Sequence, residues 1–305
     1  MSSEARKVFI GGINALQTSI NTPLVTGPDT VGSFLRRGLQ VVGYGLLETF
    51  IVDRLNELSG HMNDGLSHVS DLPEKLRKAA FQDILRVAAD KVQWAGPGLP
   101  DAVAFTSALG RSLIASSGPI HLSPLTWQWR GSNMGIADLN DMLRLFHVQA
   151  PWQTLTNISL RADFPVTDAK AAVTNLLQER NSSAHDSGHQ VSNLIARAAP
   201  AQLLALGFST DVLISLAAHQ IRLASQEYWR DTNWLNSDKL KFRFVRFRTK
   251  EWAEVLEGRS KAARLNHDRD AASKSAFSAS LGKLEVVVFQ NSARQVLDWT
   301  YPDAP

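Results

Sequence analysis

The segment ERNSSAHDSG holds an arginine, an asparagine beside it and a histidine a little further on: Arg180, Asn181 and His185. These side-chain types suit work on a phosphate. An imidazole takes and gives protons near neutral pH. A guanidinium is a planar, permanent cation that matches phosphate oxygens bidentately. Asn181 and His185 are four apart, so on a helix they share a face, and the small Ala184 leaves room beside the imidazole. An arginine shortly before a histidine also arises by chance in a chain with 8 histidines. On that reading Arg180 is a solvated helix residue and His185 a polar residue near a C-terminus, where the dipole favours a cation.

Either role needs a helix to carry the segment. Thr167 or Asp168 is a natural N-cap, and Ala169, Val173, Leu176, Leu177 and Ala184 supply an inward face, with Gly188 expected as a left-handed stop. The rest of the first two thirds is also helical in pattern. Phe9, Ile13, Leu16 and Ile20 recur at helical spacing. From a cap at Asp29 or Thr30, Leu35, Leu39, Val42, Leu46 and Phe50 form one stripe and Leu47, Ile51, Leu55 and Leu58 another, with Gly38, Gly43 and Gly45 expected at close helix crossings. Helices are expected after Pro73, from Asp101 to Ile114, at Ile136–Phe146 and from Pro151 to just before Asp163, with a short extended piece at Leu125–Trp129. Val191–Ala198 and Pro200–Leu206 read as helical, and Ser209 or Thr210 as the cap of a last helix reaching Trp229.

After Asn233 the texture changes. KLKFRFVRFRTK alternates basic with aromatic or apolar residues, the period of a strand, with a bulge expected at Val245 where the alternation slips. KLEVVVFQ reads as a second strand, and the Ser- and Ala-rich stretch between them as a loop or weak helix. The expected fold is mainly α, a helical bundle over residues 1–236, with a small β-containing extension over residues 237–305.

Composition narrows the chemistry. Of 305 residues, 44% are hydrophobic and 20% charged, which fits a folded chain. The formal charge of +3 is too small to predict nucleic-acid binding by itself. With no cysteine, thiolate metal sites and cysteine nucleophiles are excluded. The N-terminus is a poor signal peptide, and no stretch reads as about 20 consecutive apolar residues. The expectation is therefore a soluble, cytoplasmic protein with no membrane partner.

Arg180-Asn181-Ser182-Ser183-Ala184-His185 resembles the signature of HEPN domains: an arginine, four to six residues of which the first is polar, then a histidine. GYGLLETFIVDRLNELS is similar to the early helix of the RiboL-PSP-HEPN branch, and SNMGIADLNDMLRLFHVQAPW to the stretch preceding its signature helix. The serine-bearing turn at Ser187-Gly188, then Val191-Ser192, is similar as well. The resemblance spans roughly Asp29 to Tyr228 and implies a HEPN-like bundle that dimerises. It also implies a metal-independent endoribonuclease at the dimer cleft, with no cofactor, and a role as toxin or anti-phage effector. Arg180, His185 and Asn181 are then the catalytic residues. Such cleavage needs a base for the 2′-hydroxyl, an acid for the leaving 5′-oxygen and a cation for the phosphorane; asparagine can orient the imidazole or touch the phosphate. An ideal helix sets residues five apart at roughly 140°, so Arg180 and His185 do not point along one line, and the preferred arrangement is the one the resemblance implies, one cleft completed by a second copy of the chain. Expected partners are RNA, a second copy, and an antitoxin or sensor that restrains the activity. The alternative is a helical RNA-binding or dimerisation module that does not cut.

Other groups carry two readings each. Lys239, Lys241, Arg243, Arg246 and Arg248, interleaved with Phe242, Phe244 and Phe247, suit single-stranded RNA, or else an edge strand protected by its cations. Trp127, Trp129 and Arg130 could stack on bases or anchor a loop. Tyr44 and Glu48 could line the core or reach the cleft. His185 and His189 have the spacing of a helical metal pair, but Gly188 between them and the lack of further ligands argue against one.

Overall fold

The structure, a computed structural model, describes residues 3–63, 66, 68–69, 72–95, 109–110, 122–127, 129 and 133–302. The helix expected from Asp101 to Ile114 falls almost wholly outside the described residues, as does Arg130. The chain is mainly α with a β-containing C-terminal part. In order run α1 (Glu4–Ile20), α2 (Pro23–Thr26), α3 (Thr30–Asn63), α4 (Glu74–Lys78), a π-helical turn (Ala79–Asp83) and α5 (Ile84–Ala95). Then come α6 (Ile136–Leu145), α7 (Pro151–Arg161), α8 (Ala169–His185), α9 (Asn193–Arg222) and α10 (Gln226–Arg230). The last part holds β1 (Lys241–Arg248), β2 (Glu251–Leu256), β3 (Arg264–Asn266), α11 (Arg269–Ser280), β4 (Glu285–Gln290) and β5 (Val296–Thr300).

Helix α1 forms as its pattern predicts: Ser3 caps it, its side chain accepting from the Arg6 N–H, and Phe9, Ile13, Leu16 and Ile20 are buried. The long α3, about 50 Å at 1.5 Å per residue, starts where Asp29 Oδ1 accepts the Gly32 N–H at 2.7 Å. It buries the stripe Leu47, Ile51, Leu55 and Leu58 rather than the whole of the other. Val42 is 57% exposed, because Arg36 and Gln40 take the inward positions of the N-terminal half. Of the glycines expected at crossings, only Gly43 is tightly packed, where an added Cβ would meet Leu203 at 3.0 Å and Leu16 at 3.1 Å; one added at Gly38 or Gly45 meets nothing. The closest crossing is at Gly207 on α9, where a Cβ would overlap the Phe9 ring and stand 3.3 Å from Phe50. Phe9 and Phe50 stack at 4.3 Å over that notch.

Ser209 and Thr210 do not start a helix. Both are buried inside α9, which runs through Pro200 without a break, and Ser209 Oγ lies 2.9 Å from Ser159 Oγ. This helix is long and apolar enough to cross a membrane, but 83% of its most apolar window is buried by the rest of the chain. At Pro124–Trp127 a 3-10 turn stands where an extended piece was expected. The π-turn after α4 inserts an extra residue per turn and so displaces the apolar stripe: Ile84 is buried and the neighbouring Leu85 is exposed.

The sheet has the order β3-β2-β1-β4-β5. The central pair β1–β4 is parallel and the other pairs are antiparallel. A parallel pair needs a long crossover, which β2, β3 and α11 provide. One face packs on the bundle through Phe242, Phe244, Val286, Val288 and Trp299, so sheet and helices share one core. The other packs on α11 through Val245, Val287 and Phe289. Cover on both faces explains the unbroken apolar run of β4. Strand β1 is therefore central, not an edge. It pairs without a bulge, and the irregularity of the sheet falls at Phe289/Gln290.

Candidate functional site

Helix α8 carries the Arg180–His185 segment. Asp168 caps it, its side chain accepting from the Ala171 N–H at 2.9 Å. Ala169, Ala172, Val173 and Leu176 bury the first half. In the second half only Ser183 is buried, and Ala184, expected inward, is exposed. Polar contacts rather than apolar burial hold this half.

Arg37, on α3, holds the C-terminal end. Its Nη2 donates to the Ser183 carbonyl at 2.9 Å and the Asp186 carbonyl at 2.6 Å, and its Nη1 to the Ser187 carbonyl at 3.0 Å. A cation on the last carbonyls of a helix is favoured by the dipole and satisfies acceptors that have no intrahelical partner. The neighbouring Arg36 reaches the Val191 carbonyl at 2.6 Å and the Gly27 carbonyl at 2.9 Å, which fixes the turn after the helix. Gly188 is not the stop, and its backbone is not left-handed. The helix ends because Asp186 turns extended and its Oδ1 accepts the Gly188 N–H at 2.8 Å.

Arg180 is half-buried and points at the loop before α6. Its Nη2 donates to Asn133 Oδ1 at 2.6 Å and its Nη1 to Asn181 Oδ1 at 3.0 Å. That loop is held in turn from α3. The Tyr44 hydroxyl donates to the Met134 carbonyl at 2.8 Å, and Glu48 accepts the Met134 N–H. Asp138 accepts the Gly135 N–H at 2.7 Å. Burial, helped by the carboxylates of Glu48 and Asp138, raises the Tyr44 phenol above its ordinary value, and the Arg180 charge opposes that rise. Tyr44 and Glu48 are thus neither simple core-lining nor cleft residues: they place the loop that receives Arg180.

His185 is exposed at the last turn and makes no hydrogen bond or ion pair with the described residues. Asn181 turns its amide oxygen to Arg180 rather than to the imidazole. Of His185 and His189, it is His189 that has an acidic partner: its Nε2 lies 2.9 Å from Glu179 Oε2. Among the described residues no group of three or more histidine, aspartate and glutamate side chains is placed to hold a metal ion.

The basic row of the C-terminal part is broken up by acidic partners. Arg243 is 5% exposed, lies 2.5 Å from Glu285 and also pairs with Glu254. Arg246 meets Asp163 at 3.0 Å and Gln290 Oε1 at 2.6 Å. Lys239 pairs with Glu227 at 3.2 Å and sits over the Trp234 ring. Lys241 and Arg248 are exposed. As a continuous RNA-binding stripe the row is interrupted at Arg243, whose guanidinium belongs to the sheet interior. Trp127 is a buried anchor, stacked on Phe146 at 4.7 Å with its indole N–H donated to Ser59 Oγ at 2.6 Å.

Arg36, Arg37 and Asn133 were not singled out by sequence reasoning, and His189 was weighed only as a metal ligand. The contacts of Arg36, Arg37 and Asn133 join segments far apart in the chain, and no local spacing signals them. The chain matches no protein-family model, no curated protein and no solved structure.

Proposed function

We propose that the chain is a HEPN-type endoribonuclease that needs no metal and cleaves RNA by attack of the 2′-hydroxyl, in a cleft shared by two copies. The observation that carries this reading is the signature helix itself: Arg180 is oriented by two amide oxygens, and His185 stands exposed on the same polar half of the helix, with no hydrogen-bond partner among the described residues. The imidazole takes the 2′-hydroxyl proton, and the 2′-oxygen attacks phosphorus. The guanidinium stabilises the phosphorane charge, and the 5′-oxygen leaves with a proton delivered by the protonated imidazole of the second copy. The products are a 2′,3′-cyclic phosphate and a 5′-hydroxyl. Within one chain Arg180 and His185 share no hydrogen bond, and in this reading the second copy completes the site. A cytoplasmic toxin or antiviral effector of this kind needs an antitoxin or sensor to restrain it.

The second reading is a helical RNA-binding or dimerisation module that does not cut. It is favoured by Asn181, whose amide oxygen faces Arg180 and leaves the imidazole unoriented. Incubation with total RNA in chelator separates the two. The nuclease cuts under these conditions, and Arg180→Ala and His185→Ala each lower the rate by about 10²–10⁴-fold. RNA that is bound but never cut by the wild type, with binding retained in both variants, establishes the second reading.

A further inference from the structure

A general base for a 2′-hydroxyl needs a nitrogen lone pair and a partner that fixes which ring nitrogen carries it. His185 has no such partner among the described residues, since the Asn181 amide oxygen faces Arg180. His189 has one in Glu179, at 2.9 Å from its Nε2, and the two side chains are only 22% and 19% exposed. An ionised carboxylate only accepts, so the shared hydrogen sits on Nε2 and the neutral ring keeps its lone pair on Nδ1. Nδ1 makes no hydrogen bond with the described residues and is not one of their closed-off polar atoms, so it is open to solvent. A carboxylate on one nitrogen, with the other facing outward, fixes the tautomer of a base and stabilises the imidazolium once it forms.

The fold sets this pair beside the signature residues. The His189 N–H donates to the Asp186 carbonyl at 3.2 Å, a turn whose ends lie within about 7 Å of each other. His189 therefore follows closely behind His185. Arg37 holds the Asp186 and Ser187 carbonyls and Arg36 the Val191 carbonyl, so the turn is tied on both sides of the ring. Glu179 directly precedes Arg180 on α8. At roughly 100° per residue, Arg180 lies about 100° to one side of Glu179 and His185 about 120° to the other, while those two are about 140° apart. We infer that His189, oriented by Glu179, is the general base of the site. The inference rests on the nuclease reading and assigns one role within it. His189 Nδ1 takes the 2′-hydroxyl proton, the 2′-oxygen bonds to phosphorus, and the bond from phosphorus to the 5′-oxygen breaks. The protonated His185 of the second copy gives its proton to that oxygen, and Arg180 meets the phosphorane charge. Glu179 touches no reacting atom and is a positioning residue.

The test follows cleavage, in chelator, of a short RNA that the wild type cuts, beside the same RNA with sulfur in place of the leaving 5′-oxygen. A thiolate leaves without a proton, so the sulfur restores rate lost with the acid but not rate lost with the base. His189→Gln keeps an N–H for Glu179 and has no basic nitrogen. It is expected to lower kcat by about 10²–10⁴-fold, with KM unchanged and no recovery on the sulfur substrate. His185→Ala is expected to recover there. Glu179→Gln keeps the acceptor and loses the charge, and is expected to lower kcat by a smaller factor, again with KM unchanged. Should His189→Gln fold poorly, His189→Ala with added imidazole gives the second readout, since free imidazole is expected to return part of the lost rate to a missing base. Wild-type cutting by His189→Gln, with His185→Ala impaired, overturns the inference and leaves the nuclease reading standing. Recovery of His189→Gln on the sulfur substrate does the same, because it makes His189 the acid. A wild type that cuts no RNA overturns both.

Discussion

Arg37 Nη2 lies 2.6 Å from the carbonyl oxygen of Asp186, the residue that follows His185, across a separation of 149 residues. The same guanidinium also takes the carbonyls of Ser183 and Ser187. The end of α8 that carries His185 is therefore tied to the middle of the fold by one side chain. Arg37→Ala is expected to fray that last turn and to cost about 1 kcal/mol, less than the usual worth of charge-assisted bonds because two of the three are exposed. Hydrogen exchange checks this: amides of Ser182 to Gly188 should exchange faster, while those of Ala172 to Leu176 should not change. Uniform acceleration along the helix would show that Arg37 has no local capping role.

The buried charges give a pH dependence with a definite sign. Asp211 is 1% exposed and receives Arg54 Nε at 2.6 Å and the Trp299 indole N–H at 2.6 Å. Burial alone raises its carboxyl, but Arg54, Arg6 and the two hydrogen bonds outweigh that and hold it below the ordinary carboxylate range. Glu57 is lowered in the same way: burial works against it, and the Ala5 N–H, Ser3 and Arg54 outweigh burial. A depressed folded value means stability that is fully present above about pH 4 and is lost as pH falls through the folded values. Urea midpoints measured from pH 7 downwards should therefore drop below about pH 4. Asp211→Asn should cost about 3–5 kcal/mol at neutral pH, because it leaves Arg6 and Arg54 buried without their partner. Its midpoint should then vary less in acid, with the remaining slope due to Glu57.

Much of the helical fold was legible, and the misreadings have physical causes. Helices α1, α6 and α7 each bury one clear stripe between strong boundary residues. In α3 the stripe through Val42 misled, because Arg36 and Gln40 occupy inward positions through long-range hydrogen bonding and packing that spacing does not encode. Ser209 and Thr210 look like caps, but in the core a hydroxyl can find another hydroxyl, as Ser209 does with Ser159. Strand β2 was hidden by its acidic residues, one of which, Glu254, is buried against Arg243. At the candidate site Arg180 and His185 were visible from spacing. Arg37 and Asn133 were not, since they reach the helix from 146 and 47 residues away.

Two glycines of the bundle should respond oppositely to the same change. At Gly207 an added Cβ overlaps the Phe9 ring and lies 2.7 Å from its Cζ, and the ring is stacked on Phe50 and cannot yield freely. Gly207→Ala should destabilise by about 1–3 kcal/mol through overpacking. Gly38 is exposed and an added Cβ meets nothing within 4 Å. Gly38→Ala should stabilise by about 0.5–1 kcal/mol through helix propensity. Thermal denaturation of the pair checks the crossing geometry: equal and small shifts in both would mean that α1, α3 and α9 are not as close at Gly207 as the structure places them.

The cations of β1 should separate into two classes. Arg243 is inside the sheet between Glu254 and Glu285, so removing it strands two carboxylates, one of them 1% exposed. Arg243→Ala should cost about 3–5 kcal/mol of stability and leave RNA affinity per folded molecule unchanged. Lys241 and Arg248 are exposed and carry their charge to solvent. Lys241→Ala should shift stability by no more than about 0.5 kcal/mol. If RNA runs along this side of the protein, the same change should lower affinity and reduce the slope of log affinity against log salt by about 0.7, the value for one phosphate contact on a single strand. Filter binding across a salt series, paired with urea melts, gives both numbers for each variant. Loss of RNA binding in Arg243→Ala without loss of stability would contradict this assignment, since a guanidinium held by two carboxylates inside a sheet has no charge left to offer a phosphate.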